Sequence, residues 1–146
     1  MTGTTVYEVR RARGPEEMAA VLALRHEVFC REQGVPEHEE VDGRDAEGLH
    51  LVAVAGGELL GTCRLLLVGG TAQFSRLAVR GSARRQGVAT ALLAAADEEA
   101  LAAGARRLVL HAQTYARELY DNAGYRPRGR VFIEAGIEHI AMEKQL

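Results

Sequence analysis

The chain has only two cysteines, Cys30 and Cys63, too few and too far apart for a disulfide framework or a paired CxxC metal site. No run approaches the roughly 18 uninterrupted apolar residues of a membrane-spanning helix, and MTGTTVYEVRRARG at the N-terminus has no apolar signal-peptide core. Neither sign of charge dominates. Lys+Arg at 18 against Asp+Glu at 20 gives a net charge of -2, too balanced for a protein held to nucleic acid by phosphate neutralisation. There is no Pro/Ser-rich linker and no internal repeat at a period of about 20 to 50 residues. GxxxxGK[ST], GxGxxG and HExxH are also missing, so P-loop, dinucleotide-fingerprint and metalloprotease readings fall away. The expectation is a cytoplasmic protein with no nucleic-acid, membrane or metal partner.

What is present suits one domain spanning 1–146. The 146 residues are 47% apolar and 26% charged, enough to bury roughly 68–70% of the unfolded surface. The glycines fall singly or in pairs at the edges of patterned segments, where they act as punctuation.

Weak alternation from Thr5 to Val9 predicts a first strand. Gly14-Pro15-Glu16-Glu17 then predicts a helix start, with Pro in the first turn and acids at the positive helix end. That helix is read to about Gln33, with an apolar stripe of Met18, Val21, Leu22, Val28 and Phe29 in which Arg25 fills a vacancy. From Gly34 to Gly48 the chain is acidic and irregular, an exposed loop or frayed short helix, with Pro36 discouraging helix continuation. Apolar runs His50 to Ala55, Leu59 to Val68 and Ala72 to Val79, separated by glycine pairs, predict an antiparallel meander. An Ala/Leu-rich helix from Gly87 to Ala103 follows, then a strand from Arg107 to Ala112 and a helix from Tyr115 to Ala123. Strands Val131 to Ile133 and Glu138 to Met142 close the chain. This order is α+β, with one strand-helix-strand crossover beginning at Ala72.

Two segments carry chemistry. Arg84-Arg85-Gln86-Gly87-Val88-Ala89-Thr90 opens the Ala-rich helix, where backbone N–H groups lack partners and small residues let an anion approach. One strand later comes Gln113-Thr114-Tyr115-Ala116-Arg117-Glu118-Leu119-Tyr120-Asp121-Asn122-Ala123-Gly124-Tyr125. A strand, RxxGxA, a helix, a strand and LYxxxGY in that order resemble the GNAT superfamily of acetyl-CoA-dependent N-acetyltransferases. Leu24-Arg25-His26-Glu27-Val28-Phe29, Glu32-Gln33, Asp42-Gly43-Arg44-Asp45, Leu110-His111-Ala112-Gln113 and Gly136-Ile137-Glu138-His139-Ile140 narrow the resemblance to the ElaA/YjcF-like small bacterial acyltransferases.

The resemblance implies a GNAT fold, a mixed and mostly antiparallel sheet flanked by helices, with acetyl-CoA as cofactor and CoA as product. The pyrophosphate cradle falls on the backbone of Arg85, Gln86, Gly87, Val88, Ala89 and Thr90, with Arg84 adding charge to this cofactor site. The cofactor arm falls on the strand edge Leu77, Ala78 and Val79, and on Gln113, Ala116 and Tyr120. Tyr120 matches the family's general acid; Ser75 and Arg76 stand where many members carry a glutamate base. The residues themselves leave alternatives open. Tyr120 suits thiolate protonation, since a phenol stays protonated at neutral pH, but it also shares an apolar helix face. His111 and Glu32 are catalytic candidates and His139 a substrate-binding one, while lone histidines are often merely hydrogen-bonded. Arg25, Phe29 and Arg76 are candidates for the acceptor pocket. Two inward arginines predict an acceptor that pairs its amine with an anionic group; the competing account neutralises them internally with Glu32, Asp42 or Asp45. The acidic loop is either solvated or a rim that attracts a cationic amine.

The reaction expected is direct transfer of an acetyl group to a primary amine of a small molecule or a peptide terminus, without an acyl-enzyme, by a protein that is a candidate homodimer. The rivals are an autoinducer-synthase-like acyltransferase and a non-catalytic acyl-CoA sensor on the same fold.

Overall fold

A computed structural model describes residues 6–146, so the Thr5 end of the expected first strand lies outside the described residues. Strand β1 (Glu8–Arg11) leads to helix α1 (Gly14–Arg25), a π-helical continuation (His26–Glu32), the single turn α2 (Glu37–Glu40) and a 3-10 turn (Asp45–Glu47). The chain then forms β2 (Leu49–Ala55), β3 (Glu58–Val68), β4 (Thr71–Val79), α3 (Val88–Ala102), β5 (Arg107–Gln113), a 3-10 turn (Thr114–Ala116), α4 (Arg117–Asn122), β6 (Arg126–Glu134) and β7 (Ile137–Gln145). The element order is the α+β order read from the sequence, with a longer final hairpin.

The seven strands form one sheet in the order β1-β2-β3-β4-β5-β7-β6, antiparallel except where β4 meets β5. Strand alternation divides the core. Leu51, Ala53, Cys63, Leu65, Phe74, Leu108, Leu110 and Ala112 pack with the α3 stripe Val88, Leu92, Leu93, Ala96 and Ala100. On the other face Val52, Leu59 and Ala78 pack with Val21 and Leu24 of α1 and with Val28. The start of α3 sits hard against β3, because a Cβ on Gly61 would lie 2.8 Å from Val88 Cγ1 and 3.1 Å from Leu92 Cδ1. Among the described residues no helix is long and apolar enough to cross a membrane.

Two expectations need correction. The first helix does not run uniformly to Gln33; after Arg25 it widens, and the Gln33 N–H reaches the Val28 carbonyl five residues back at 3.2 Å. The wider turn leaves Arg25 1% exposed and the Glu32 side chain 39% exposed. The acidic segment, in turn, is folded against the sheet and is not simply solvated. Glu40 is 4% exposed and accepts from Arg25 Nε at 2.6 Å, and Asp45 accepts from Arg25 Nη1 at 2.8 Å and Arg64 Nη1 at 3.0 Å. Asp42 takes both terminal nitrogens of Arg64, at 2.9 and 2.7 Å. Arg76 adds bonds to the Glu40 carbonyl and a 3.3 Å contact to Asp42. Three arginines and three carboxylates thus neutralise one another beneath the segment.

Charges taken this far from water hold only as a set. The Arg64 guanidinium keeps the Asp42 carboxyl far below the ordinary carboxylate range; at Asp45 burial pushes upward but Arg25 and Arg64 outweigh it. Both carboxyls are depressed, so their stabilisation is complete above the unfolded carboxylate pKa of about 4 and is lost as pH falls below it. Urea unfolding at pH 7 is expected to show Arg25→Ala destabilised by about 3–5 kcal/mol. The loss of stability between pH 7 and pH 3 should be smaller in Asp42→Asn than in the parent; equal losses would show that Asp42 is not a linked group.

Candidate active site

The parallel pairing of β4 with β5 lasts only from Thr71–Arg107 through Gln73–Val109. Beyond it the strands part, and β4 from Leu77 to Val79 remains paired on its β3 side alone, Thr62 with Ala78 and Gly61 with Val79. A bulge accompanies the split. Thr62 pairs with Ala78 and Arg64 with Ser75, so Arg76 and Leu77 together face Cys63, and Arg76 takes a left-handed φ of 58°. A non-glycine residue there is strained, and bulges of this kind re-aim side chains. The gap is a cleft of about 910 Å³ whose edges include the unpaired backbone of β4.

The cleft runs through the sheet, with walls on both faces. On the α3/α4 face lies Tyr120, 8% exposed, its ring edge-on to Phe74 at 6.5 Å and to Tyr125 at 6.1 Å. Burial, with smaller effects from Cys63 and Tyr115, pushes its phenol well above the ordinary tyrosine range. Leu108, Leu110 and Ala112 of β5 point to that face, so His111 and Gln113 belong to the other. His111 Nδ1 is 3.0 Å from Glu134 Oε2, and its ring meets Phe132 edge-on at 5.0 Å. His139, 6% exposed, stacks on Phe132 and its Nδ1 lies 2.7 Å from the Ile137 carbonyl.

The π-helical segment spans the gap. Glu32 accepts from Arg84 Nη2 at 2.7 Å, and Gln33 accepts from Gln113 Nε2 at 2.9 Å and contacts the Tyr115 hydroxyl at 3.4 Å.

Beside the split, α3 starts with no side-chain cap. Its first backbone bond is from Ala91 N–H to the Gly87 carbonyl at 3.0 Å, which leaves the N–H groups of Val88, Ala89 and Thr90 without helical acceptors. Gly87 has φ 80°, and a Cβ there would meet nothing nearer than Tyr7 Oη at 3.7 Å. Arg85, two residues earlier, is also left-handed, at φ 64°. This is an open anion cradle at the positive end of a 15-residue helix.

Among the residues picked from sequence, Phe29, Glu32, Arg76, Leu77, Val79, Arg84, Ala89, His111, Gln113, Ala116, Tyr120 and His139 line the cleft. Arg85, Gln86, Gly87, Val88 and Thr90 form the adjoining cradle, and the Ala78 side chain packs toward α1. Arg25 is a correction: it is buried against Glu40 and Asp45, outside the cleft lining. Arg76 reaches the lining but is engaged with Glu40 and Asp42, so the argument for an anionic acceptor group from two free inward arginines fails. Sequence reasoning passed over Arg64, Gln33, Tyr115 and Glu134. Arg64 had a signal, a lone charge inside the apolar run LLGTCRLLLV; Glu134 had none.

A mixed sheet split between its parallel strands, with an uncapped helix start beside the split, is the architecture of an acyl-CoA N-acyltransferase. The profile of the acetyltransferase (GNAT) domain matches residues 13–146, and the chain belongs to that family. It is 34% identical over 134 residues to the uncharacterized N-acetyltransferase YjcF of Bacillus subtilis, covering 91% of this chain and 96% of YjcF. Escherichia coli ElaA superposes with a TM-score of 0.86 at 24% identity, over 96% of this chain and 100% of ElaA. An acetyltransferase of Bacillus subtilis solved in complex with CoA shares the fold at a TM-score of 0.76 and 20% identity, over 97% of this chain and 99% of that one. The protein is an acyltransferase enzyme.

Because burial holds Tyr120 protonated, spectrophotometric titration of parent and Tyr120→Phe should give the same tyrosinate signal up to the onset of alkaline unfolding. A tyrosinate signal lost in the variant before that onset would show that Tyr120 ionises in the folded protein.

Proposed function

We propose that this protein, acting as one domain over 1–146, transfers an acetyl group from acetyl-CoA directly to a primary amine of a small molecule or a peptide terminus. The observation that carries the reading is the split between β4 and β5, lined from both faces of the sheet and adjoining the α3 cradle.

The residues present suit an acyl-CoA. Open space at Gly87 and the unpartnered N–H groups of Val88, Ala89 and Thr90 suit a diphosphate, with Arg85 adding charge while Arg84 stays paired with Glu32 at the mouth. The backbone edge of Leu77, Ala78 and Val79, with Gln113 and Ala116 across the split, suits an extended polar arm. When bound, the group supplies an acyl thioester and a thiolate that leaves on transfer.

The chain's own groups then divide the proton work between the two faces. A primary amine must lose a proton to become an amide nitrogen, and His111 on the open face is the base. The departing sulfur needs a proton, and Tyr120 on the opposite face donates one from a phenol that burial keeps neutral. Glu32 is occupied at the mouth by Arg84 and holds the π-helical segment over the cleft instead of serving as base. Phe29, Arg76 and His139 shape the acceptor side, where the buried network leaves Arg76 no free charge. The acceptor is therefore selected as an amine with no requirement for an anionic group.

Thiol release from acetyl-CoA, measured over a panel of amines, amino acids and peptides, tests the activity; binding without release across the panel would leave an acyl-CoA sensor. Gly87→Glu forces a side chain into a left-handed position and sets a carboxylate at the cradle, so a folded variant should show no calorimetric binding of acetyl-CoA. Unchanged affinity would move the diphosphate elsewhere. Tyr120→Phe should keep that affinity and lower kcat by roughly 10²-fold; wild-type turnover across the pH range would reduce Tyr120 to a packing residue.

A further inference from the structure

We propose that Glu134 is a positioning residue for transfer, holding His111 with its proton on Nδ1 so that Nε2 is the basic nitrogen. The inference rests on His111 as the base in the reading above. An ionised carboxylate can only accept, so the 3.0 Å contact between Glu134 Oε2 and His111 Nδ1 requires Nδ1 to donate. A neutral imidazole with Nδ1–H carries its lone pair on Nε2, and the same carboxylate then stabilises the imidazolium formed when Nε2 takes a proton.

The arrangement is held from two more sides. Phe132, two residues before Glu134 on β6, meets the His111 ring edge-on at 5.0 Å and 79°, which restricts rotation of the imidazole. Glu134 ends β6 and pairs with Ile137 across a two-residue turn in which Ala135 has φ 52° and Gly136 φ 75°. That turn is normally Asn-Gly or Gly-Gly; an alanine in the left-handed position is strained, and both it and Glu134 line the cleft. The tight hairpin thus carries Glu134 to the cleft, where its carboxylate meets the His111 ring.

Among the described residues, the other titratable groups near His111 are engaged elsewhere. On β7, His139 bonds the Ile137 carbonyl and Glu138 accepts from Thr114 Oγ1 at 2.9 Å. Across the split, Arg76 of β4 is held by the Glu40 carbonyl and Asp42, and Glu32 of the π-helical segment is held by Arg84. Glu134 is the carboxylate that contacts the ring.

Nitrogen-15 NMR of the imidazoles should find His111 as the Nδ1–H tautomer in the parent, and a tautomer mixture in Glu134→Ala. In steady-state kinetics Glu134→Ala should leave the KM for acetyl-CoA unchanged and lower kcat/KM for the amine at neutral pH by at least about tenfold. Glu134→Gln, whose amide oxygen can still accept from Nδ1–H, should keep the tautomer and lose less than Glu134→Ala. In a His111→Ala background Glu134→Ala should cost nothing further. An unchanged tautomer in Glu134→Ala, or an equal loss in both backgrounds, overturns the role of Glu134 alone. Wild-type turnover by His111→Ala would instead remove the base, and the catalytic part of this inference with it.

Discussion

The buried set of Arg25, Arg64 and Arg76 with Glu40, Asp42 and Asp45 is the constraint on which the acceptor side of the cleft depends. Without it the segment between the π-helical turn and β2 would be a solvated acidic loop, as its composition suggests. With it, the segment becomes a wall. Each arginine comes from a different element: α1, β3 and the β4 bulge. The ion pairs therefore tie the first helix, the sheet and the strained residue at the split into one unit. Asp42 receives the bidentate fork of Arg64 and also touches Arg76, so position and charge are fixed together at the cleft. The set is neutral as a whole, which is why a region rich in arginine and acid contributes shape more than field.

The second constraint is topological. A strand-helix-strand crossover makes β4 and β5 parallel neighbours, but they share only a short stretch of pairing, and the bulge at Arg76 falls where they separate. Separation leaves one strand edge unsatisfied and brings the start of α3 alongside the opening. Gly61 contributes by letting Val88 approach the sheet, so that the unpaired helix donors and the unpaired strand edge adjoin.

Much of this was legible because it is local. Hydrophobic runs bounded by glycine pairs mark the meander, the RxxGxA run marks an uncapped helix start, and Tyr120 is marked by its place in LYxxxGY. What was illegible depends on partners distant in sequence. Arg25 meets Glu40 fifteen residues on and Arg64 meets Asp42 across 22, and a helical stripe cannot say whether a charge on it faces a groove or a buried acid. The π-helical widening shifts phase after Arg25, so Arg25 turns into the buried ion pairs while Glu32 reaches the cleft. Glu134 lies in a segment read as turn, and its contact with His111 arises only after β7 has brought the hairpin against β5.

Strand β6 is the outer edge of the sheet, with Val131 at 51% and Ile133 at 67% exposure beside an unpaired backbone. Such an edge is a template for unwanted strand addition, and here it is guarded by composition. Arg126, Arg128 and Arg130 place like charges along it, Pro127 removes a donor, and the register break between Arg128 and Phe132 twists the strand out of line. The protection is concentrated in the first half of the strand, leaving the regular half, from Phe132 to Glu134, to carry the contacts to His111. Protection of the edge backbone and delivery of a side chain to the cleft are thus handled by successive segments of one nine-residue strand.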